Sequence, residues 1–174
     1  MDVRYPIGRG ELTDEITPER RLEWIKDLEE TPMRLRAAVE NLSDEQLDTP
    51  YRPGGWTVRQ IVHHICDSNL NSYIRFKMAL TENQPVIKLW DQESWAELTD
   101  ARLAPVTVSL NLLDSLHIRW VMFLRSLTDI DFTRTFTHPE SGIISVERNI
   151  WSYSWHSRHH TAQITNLRQK MGWN

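Results

Sequence analysis

Cysteine is almost missing from this chain: Cys66 is the only one in 174 residues. That excludes an internal disulfide framework and any zinc site built from several thiolates. If a metal is bound, histidine and carboxylate must supply its ligands. A lone thiol also fits a reducing compartment, and a cytoplasmic location is expected. Long apolar runs are missing too, and no stretch approaches the roughly 20 residues of a membrane-spanning helix. The first residues, Met1 to Pro6, lack a basic region followed by an apolar stretch, so no signal peptide is expected. A basic excess is also lacking. Twenty Lys and Arg face 24 Asp and Glu, and the formal charge of -4 disfavours nucleic acid and anionic membranes as partners. No repeat, low-complexity segment or linker divides the chain. One domain over residues 1–174 is expected, long enough to bury a sizeable core.

What the chain has is helical periodicity, eight tryptophans and seven histidines. Residues 1–16 read as an irregular arm. Thr17-Pro18-Glu19 reads as a helix start, with Thr as cap, Pro at the first position and an acid at the positive end. Leu22, Ile25, Leu28, Met33, Leu35, Val39 and Leu42 give an apolar stripe. Pro32 falls inside it and predicts a kink or a break. Ser43-Asp44-Glu45-Gln46 starts a short helical turn, and Pro50 to Gly55 mark a loop. Thr57 caps a second long helix, to about Leu80, with a stripe from Val58 through Ile61, Ile65 and Phe76. A separate polar stripe on it, His64, Ser68, Asn71 and Arg75, faces either solvent or a cavity between helices.

Residues 82–105 form a long excursion with a short helix expected around Asp91–Leu98. Long connections often carry function, and Trp90 and Trp95 within this one need cover. A third long helix is expected from about Val108 to Leu127. Phe132–Phe136 and Ile143-Ile144, flanking a turn at Pro139–Gly142, suggest a short hairpin. Ser145 starts the last helix, which runs to about Met171 and stops at Gly172. The pattern predicts an all-α fold, an antiparallel four-helix bundle whose uneven connections do not suit a simple up-down-up-down order.

The last helix contains Trp155-His156-Ser157-Arg158-His159-His160. His156 and His160 are one turn apart and fall on or beside the apolar stripe, so they are expected to point inward. His159 is expected to point outward. Two inward imidazoles can bind one metal ion. The plainer alternative is a pair of core-edge histidines, each hydrogen-bonded to a neighbour. Two imidazoles this close repel when both are protonated, and a shared cation removes that problem. A third ligand has two main candidates, His63 and His64, between which periodicity does not choose. His117 is a weaker candidate, and His138 is expected to be exposed in a turn. Asp67, one turn after His63 and His64, can serve as a carboxylate that orients a ligand imidazole. Cys66 is expected to be a small buried residue rather than a nucleophile.

These residues carry a resemblance. Arg4-Tyr5-Pro6-Ile7-Gly8 opens it. Leu47-Asp48-Thr49-Pro50-Tyr51-Arg52-Pro53-Gly54-Gly55-Trp56-Thr57-Val58-Arg59-Gln60 is close to a signature. Val62-His63-His64, Asp67-Ser68, Asn71 to Lys77, Trp155-His156-Ser157, His159-His160 and Met171-Gly172-Trp173 extend it over nearly the whole chain. Together they resemble the DinB-like superfamily, in its YfiT-like branch of metal-dependent hydrolases, which is related to bacillithiol transferases. The resemblance implies a four-helix bundle and a metal held by His64, His156 and His160. It also implies a homodimer.

Three neutral imidazoles leave a divalent ion with open positions, the catalytic rather than the structural pattern. The expected function is hydrolysis of a small molecule with water activated by that ion. Asp67 is the nearest candidate for a general acid or base; no catalytic residue is assigned. A thiol S-transferase using a low-molecular-weight thiol such as bacillithiol or mycothiol is the alternative, with Arg75 and the Asp91–Trp95 segment as places for a charged thiol to bind. A further alternative is a non-catalytic metal-binding stress protein. The ligands suit zinc, with nickel also possible.

Overall fold

Three of the four long helices begin at a residue whose side chain accepts from a free backbone N–H of the first turn. In the computed structural model, which describes residues 2–12 and 15–173, Thr17 accepts from the Arg20 N–H and opens α1 (Pro18–Val39). Ser43 and Gln46 form a capping box on the single turn α2 (Asp44–Leu47). Thr57 and Gln60 do the same for α3 (Val58–Thr81). Asp91 caps α4 (Gln92–Ala96), and α5 (Thr99–Leu103) follows directly. The excursion therefore holds two short helices rather than the one expected. The third long helix, α6, runs Val106–Arg125, starting directly after Pro105. A turn, α7 (Asp129–Phe132), leads into the hairpin of β1 (Thr135–His138) and β2 (Gly142–Ser145). Ser145 caps α8 (Val146–Met171), and Gly172, at φ 67°, ends it in the left-handed conformation that glycine adopts freely. Of the expected irregular arm, residues 1, 13 and 14 lie outside the described residues.

The long helices form a ring in which α1 packs on α6 and α8, and α3 packs on the same two. Consecutive long helices α1 and α3 therefore face each other across the bundle instead of lying side by side. This is the departure from up-down-up-down order that the uneven connections predict. One apolar cluster joins Trp24, Leu28, Phe76, Trp120 and Ile150; a second joins Leu35, Ile61, Ile65, Leu113 and Ile164. No helix among the described residues is long and apolar enough to cross a membrane.

Of the two outcomes expected at Pro32, a kink or a break, the break does not occur; α1 continues through it. Proline has no N–H, so the carbonyl four residues earlier, Leu28, loses its helical donor. His117 on α6 fills that place. Its Nδ1 lies 2.6 Å from the Leu28 oxygen, and since a carbonyl can only accept, Nδ1 carries the proton. Burial pushes the His117 pKa down to about 4, which keeps this tautomer neutral. The bond predicts a testable coupling. His117→Leu should cost about 1–3 kcal/mol in urea unfolding, because it orphans a buried carbonyl. In a Pro32→Ala background the restored N–H should recover much of that loss. Equal costs in both backgrounds would show that the bond does not couple the two helices.

Candidate metal centre

His64 sits on α3, and His156 and His160 sit one turn apart on α8, across the bundle. One ligand atom from each of the three lies within 4.8 Å of the other two. The ring centroids are 4.5 to 5.2 Å apart. His64 Nε2 and His156 Nε2 are 3.2 Å from one another. Two nitrogens sharing a tetrahedral zinc at about 2.1 Å lie roughly 3.4 Å apart, so this spacing fits a shared ion. His64 Nδ1 and His156 Nδ1 are buried with no hydrogen-bond partner among the described residues.

Burial, first of all, holds all three pKa values well below the usual imidazole value. Repulsion adds to it: His160 acts on His64, His64 and His159 act on His156, and His156 and His159 act on His160. The set is therefore three neutral nitrogen donors, the form that binds a cation.

Gln163 fixes the orientation of His160, and sequence reasoning missed it. Its Nε2 donates to the Arg4 carbonyl at 3.3 Å, which settles which way the amide faces. Its Oε1 is then the atom 2.8 Å from His160 Nδ1, so Nδ1 donates and Nε2 keeps its lone pair. The Gln163 amide also donates to His159 Nε2 at 3.1 Å. Gln163 lies three residues after His160, one helical turn on, and that spacing was the available signal.

Tryptophans from separate segments wall the triad. The Trp56 ring is 4.5 Å from that of His64, and Trp90 stacks against His64 at 5.8 Å. Trp90 in turn meets Trp95 at 4.7 Å. The excursion that carries them is held in place at both ends. Ile87 donates to the Thr137 carbonyl of β1, and the Gln60 amide donates to the Ala96 carbonyl at 2.8 Å. A cleft of about 460 Å³ opens beside the triad. His156, Ser68, Arg75, Trp90, Asn149 and Tyr153 are among the residues that line it. A roomier groove of about 600 Å³ lies over Pro32, Met33, Ile118 and Met122, away from the triad.

Comparison with known proteins places this arrangement. Residues 27–164 match the DinB superfamily. The chain belongs to that superfamily. A relative from Bacillus mycoides (strain KBAB4) is 54% identical over 172 residues, 99% of each chain. One from Bacillus cereus (strain B4264) and one from Bacillus thuringiensis subsp. konkukian (strain 97-27) match to the same extent. All three bear the name "Putative metal-dependent hydrolase". Among solved structures, YfiT from Bacillus subtilis superposes with a TM-score of 0.96 and 50% identity over the whole of both chains. It is described as "a probable metal-dependent hydrolase with an unusual four-helix bundle topology".

In this DinB-superfamily bundle the other candidates go elsewhere. His63 turns to α6, with Nδ1 2.7 Å from Ser109 Oγ and Nε2 3.1 Å from the Ala104 carbonyl. Asp67 makes no hydrogen bond to any imidazole among the described residues, so it does not orient His64 as expected. Burial, and then the charge of Asp100, push its carboxyl up to about 6. His159 is not an outward neighbour. It is 6% exposed, stacked on Trp155 at 4.6 Å and covered by Tyr5 of the N-terminal arm. The arm can lie this close because Gly10 meets the Trp155 face, where a Cβ would come within 2.7 Å of the ring. His138 is half-buried at the cleft rather than exposed, and its Nδ1 accepts from the Glu140 and Ser141 N–H groups. Cys66 is buried as expected, and burial pushes its thiol up to about 11, so it is no nucleophile at neutral pH.

The depressed imidazoles predict the acid behaviour of the metal-free protein. Unfolded histidines take up protons below about pH 6.5, while these three resist until lower pH. Their contribution to stability is full above pH 6.5 and is lost as pH falls through the depressed values. Urea unfolding of metal-free protein at pH 7.5, 6 and 5 should therefore show a falling stability. A His64→Gln/His156→Gln/His160→Gln variant should lose less over the same range; parallel curves would mean that the triad is not held neutral.

Proposed function

We propose that His64, His156 and His160 bind one divalent ion, zinc by the suitability of imidazole, and that the protein is a metal-dependent hydrolase of a small molecule. The observation that carries this reading is the convergence of three neutral imidazoles, two of whose Nε2 atoms stand 3.2 Å apart, beside an open cleft. An ion held by three nitrogens has positions left for water or a substrate carbonyl, and supplies an acidified water or a polarised carbonyl there. The chain's own residues do the rest. Gln163 keeps the His160 proton on Nδ1. Trp56 and Trp90 shield His64 from bulk water. Gln60 and the β1 bridge hold the excursion over the site. The cleft volume of about 460 Å³ suits a small molecule rather than a polymer. The names of the relatives and of the B. subtilis neighbour support the same reading.

Metal analysis of natively purified protein should give one ion per chain, and His160→Ala should abolish stoichiometric loading. Gln163→Leu should keep the site but weaken metal affinity by about 10–100-fold in a chelator competition. A screen of small esters and amides should show turnover that a chelator removes and the metal restores. Turnover that requires an added low-molecular-weight thiol would replace the hydrolase reading with thiol transfer.

A further inference from the structure

We propose that the cleft beside the three histidines holds an anionic group of the substrate, a carboxylate or a phosphate, on the guanidinium of Arg75. As a substrate site it rests on the hydrolase reading above; as an anion site it does not.

Arg75 is 9% exposed and lines the cleft together with His156. Among the described residues its side chain has no hydrogen bond and no carboxylate within ion-pair distance. None of its nitrogens is among the fully buried unpartnered atoms, so the guanidinium reaches the cleft itself, without the partner that proteins ordinarily supply to a mostly buried cation. This chain does so for its other buried arginine. Arg59, 5% exposed, takes Asp44, Asp48 and the Ala104 carbonyl. Arg75 is left with an open cleft instead of a counter-ion.

The surroundings favour an anion. Ser68, Asn149 and Ser152 line the same cleft with small polar groups. Two carboxylates also line it. Asp91 is engaged as the cap of α4, by the Ser94 N–H at 3.0 Å and the Ser94 hydroxyl at 2.5 Å. Glu140 is exposed at the rim. His138, which lines the cleft as Tyr153 and His156 do, is disfavoured as a cation by burial and by the charge of Arg75 itself. The fork of N–H donors on Arg75 matches the paired oxygens of a carboxylate or phosphate.

Helix geometry places this anion relative to the triad. Arg75 follows His64 by 11 residues, about three turns, so both lie on one face of α3 about 16 Å apart along the axis. Long side chains on a helix lean towards its N-terminus, here towards His64, which shortens the span. On α8, Asn149 and His156 repeat the arrangement over about two turns. A ligand between the two faces thus reaches the triad with one end and Arg75 with the other. The substrate class is a small anionic ester or amide whose charge lies several atoms from the bond that breaks.

The test uses zinc-loaded protein, titrated by calorimetry with inorganic phosphate and, separately, with succinate. Wild type should bind at least one of the two, and the tighter probe identifies the group. Arg75→Gln should weaken that binding at least tenfold with zinc stoichiometry unchanged. Arg75→Lys, which keeps the charge but loses the fork, should weaken succinate more than phosphate. In wild-type protein, the Arg75 Nε–H resonance should shift on titration, which needs no variant to fold. Binding that is lost in His160→Ala but retained in Arg75→Gln would place the anion on the metal alone and overturn the proposal, leaving the hydrolase reading intact. Failure of wild type to load zinc, with Arg75-dependent anion binding preserved, would overturn the hydrolase reading and leave the anion site.

Discussion

Three imidazoles gathered within a few ångströms inside a helix bundle can coexist only without charge, and the rest of the site is arranged around that condition. Burial between α3 and α8 enforces it. Mutual repulsion adds to it, since any one of the rings gaining a proton penalises the next. Neutral nitrogens in such a place are poor partners for one another, because each pair needs a donor and an acceptor. A cation satisfies all three at once. The same burial that makes the cluster awkward without an ion makes it receptive to one.

Holding a lone pair in the right direction needs more than the ligands. Gln163 ties the His160 proton to an amide whose own orientation is set by the backbone of Arg4. The N-terminal arm thereby reaches the centre of the bundle through two hydrogen bonds, and Gly10 against Trp155 lets it lie flat enough to do so. On the other side, the excursion between α3 and α6 brings Trp90 to His64 and is stitched to the hairpin and to Gln60. Segments that look peripheral in the chain are the walls of the cleft.

Much of this was legible in the residues. Capping residues marked the starts of α1, α3 and α8, Gly172 marked the last stop, and the hairpin was readable from its turn, while only one of the two short helices of the excursion was expected. The inward direction of His156 and His160 followed from the stripe on a single helix. The choice between His63 and His64 did not, because it depends on which partner helix lies on which flank of α3, and no local period encodes that. Only the family resemblance separated them. His159 failed for a related reason: its wheel position is off the stripe, but an arm some 150 residues away covers it. Asp67 is a half-buried acid near His64 in sequence, yet the charge that acts on it across space is that of Asp100. Arg75 stood out in the sequence as part of a polar stripe that faced either solvent or a cavity, and the structure puts two of its members, Ser68 and Arg75, on the wall of a cleft.

Pro32 has a consequence beyond its own helix. In a regular helix every interior carbonyl is spoken for, so a neighbouring helix can slide by a turn with little loss of hydrogen bonding. The proline frees one oxygen alone, that of Leu28, and His117 seeks it. A bond with a single possible address works as a detent between α1 and α6. It favours one advance of α6 along α1 over the others.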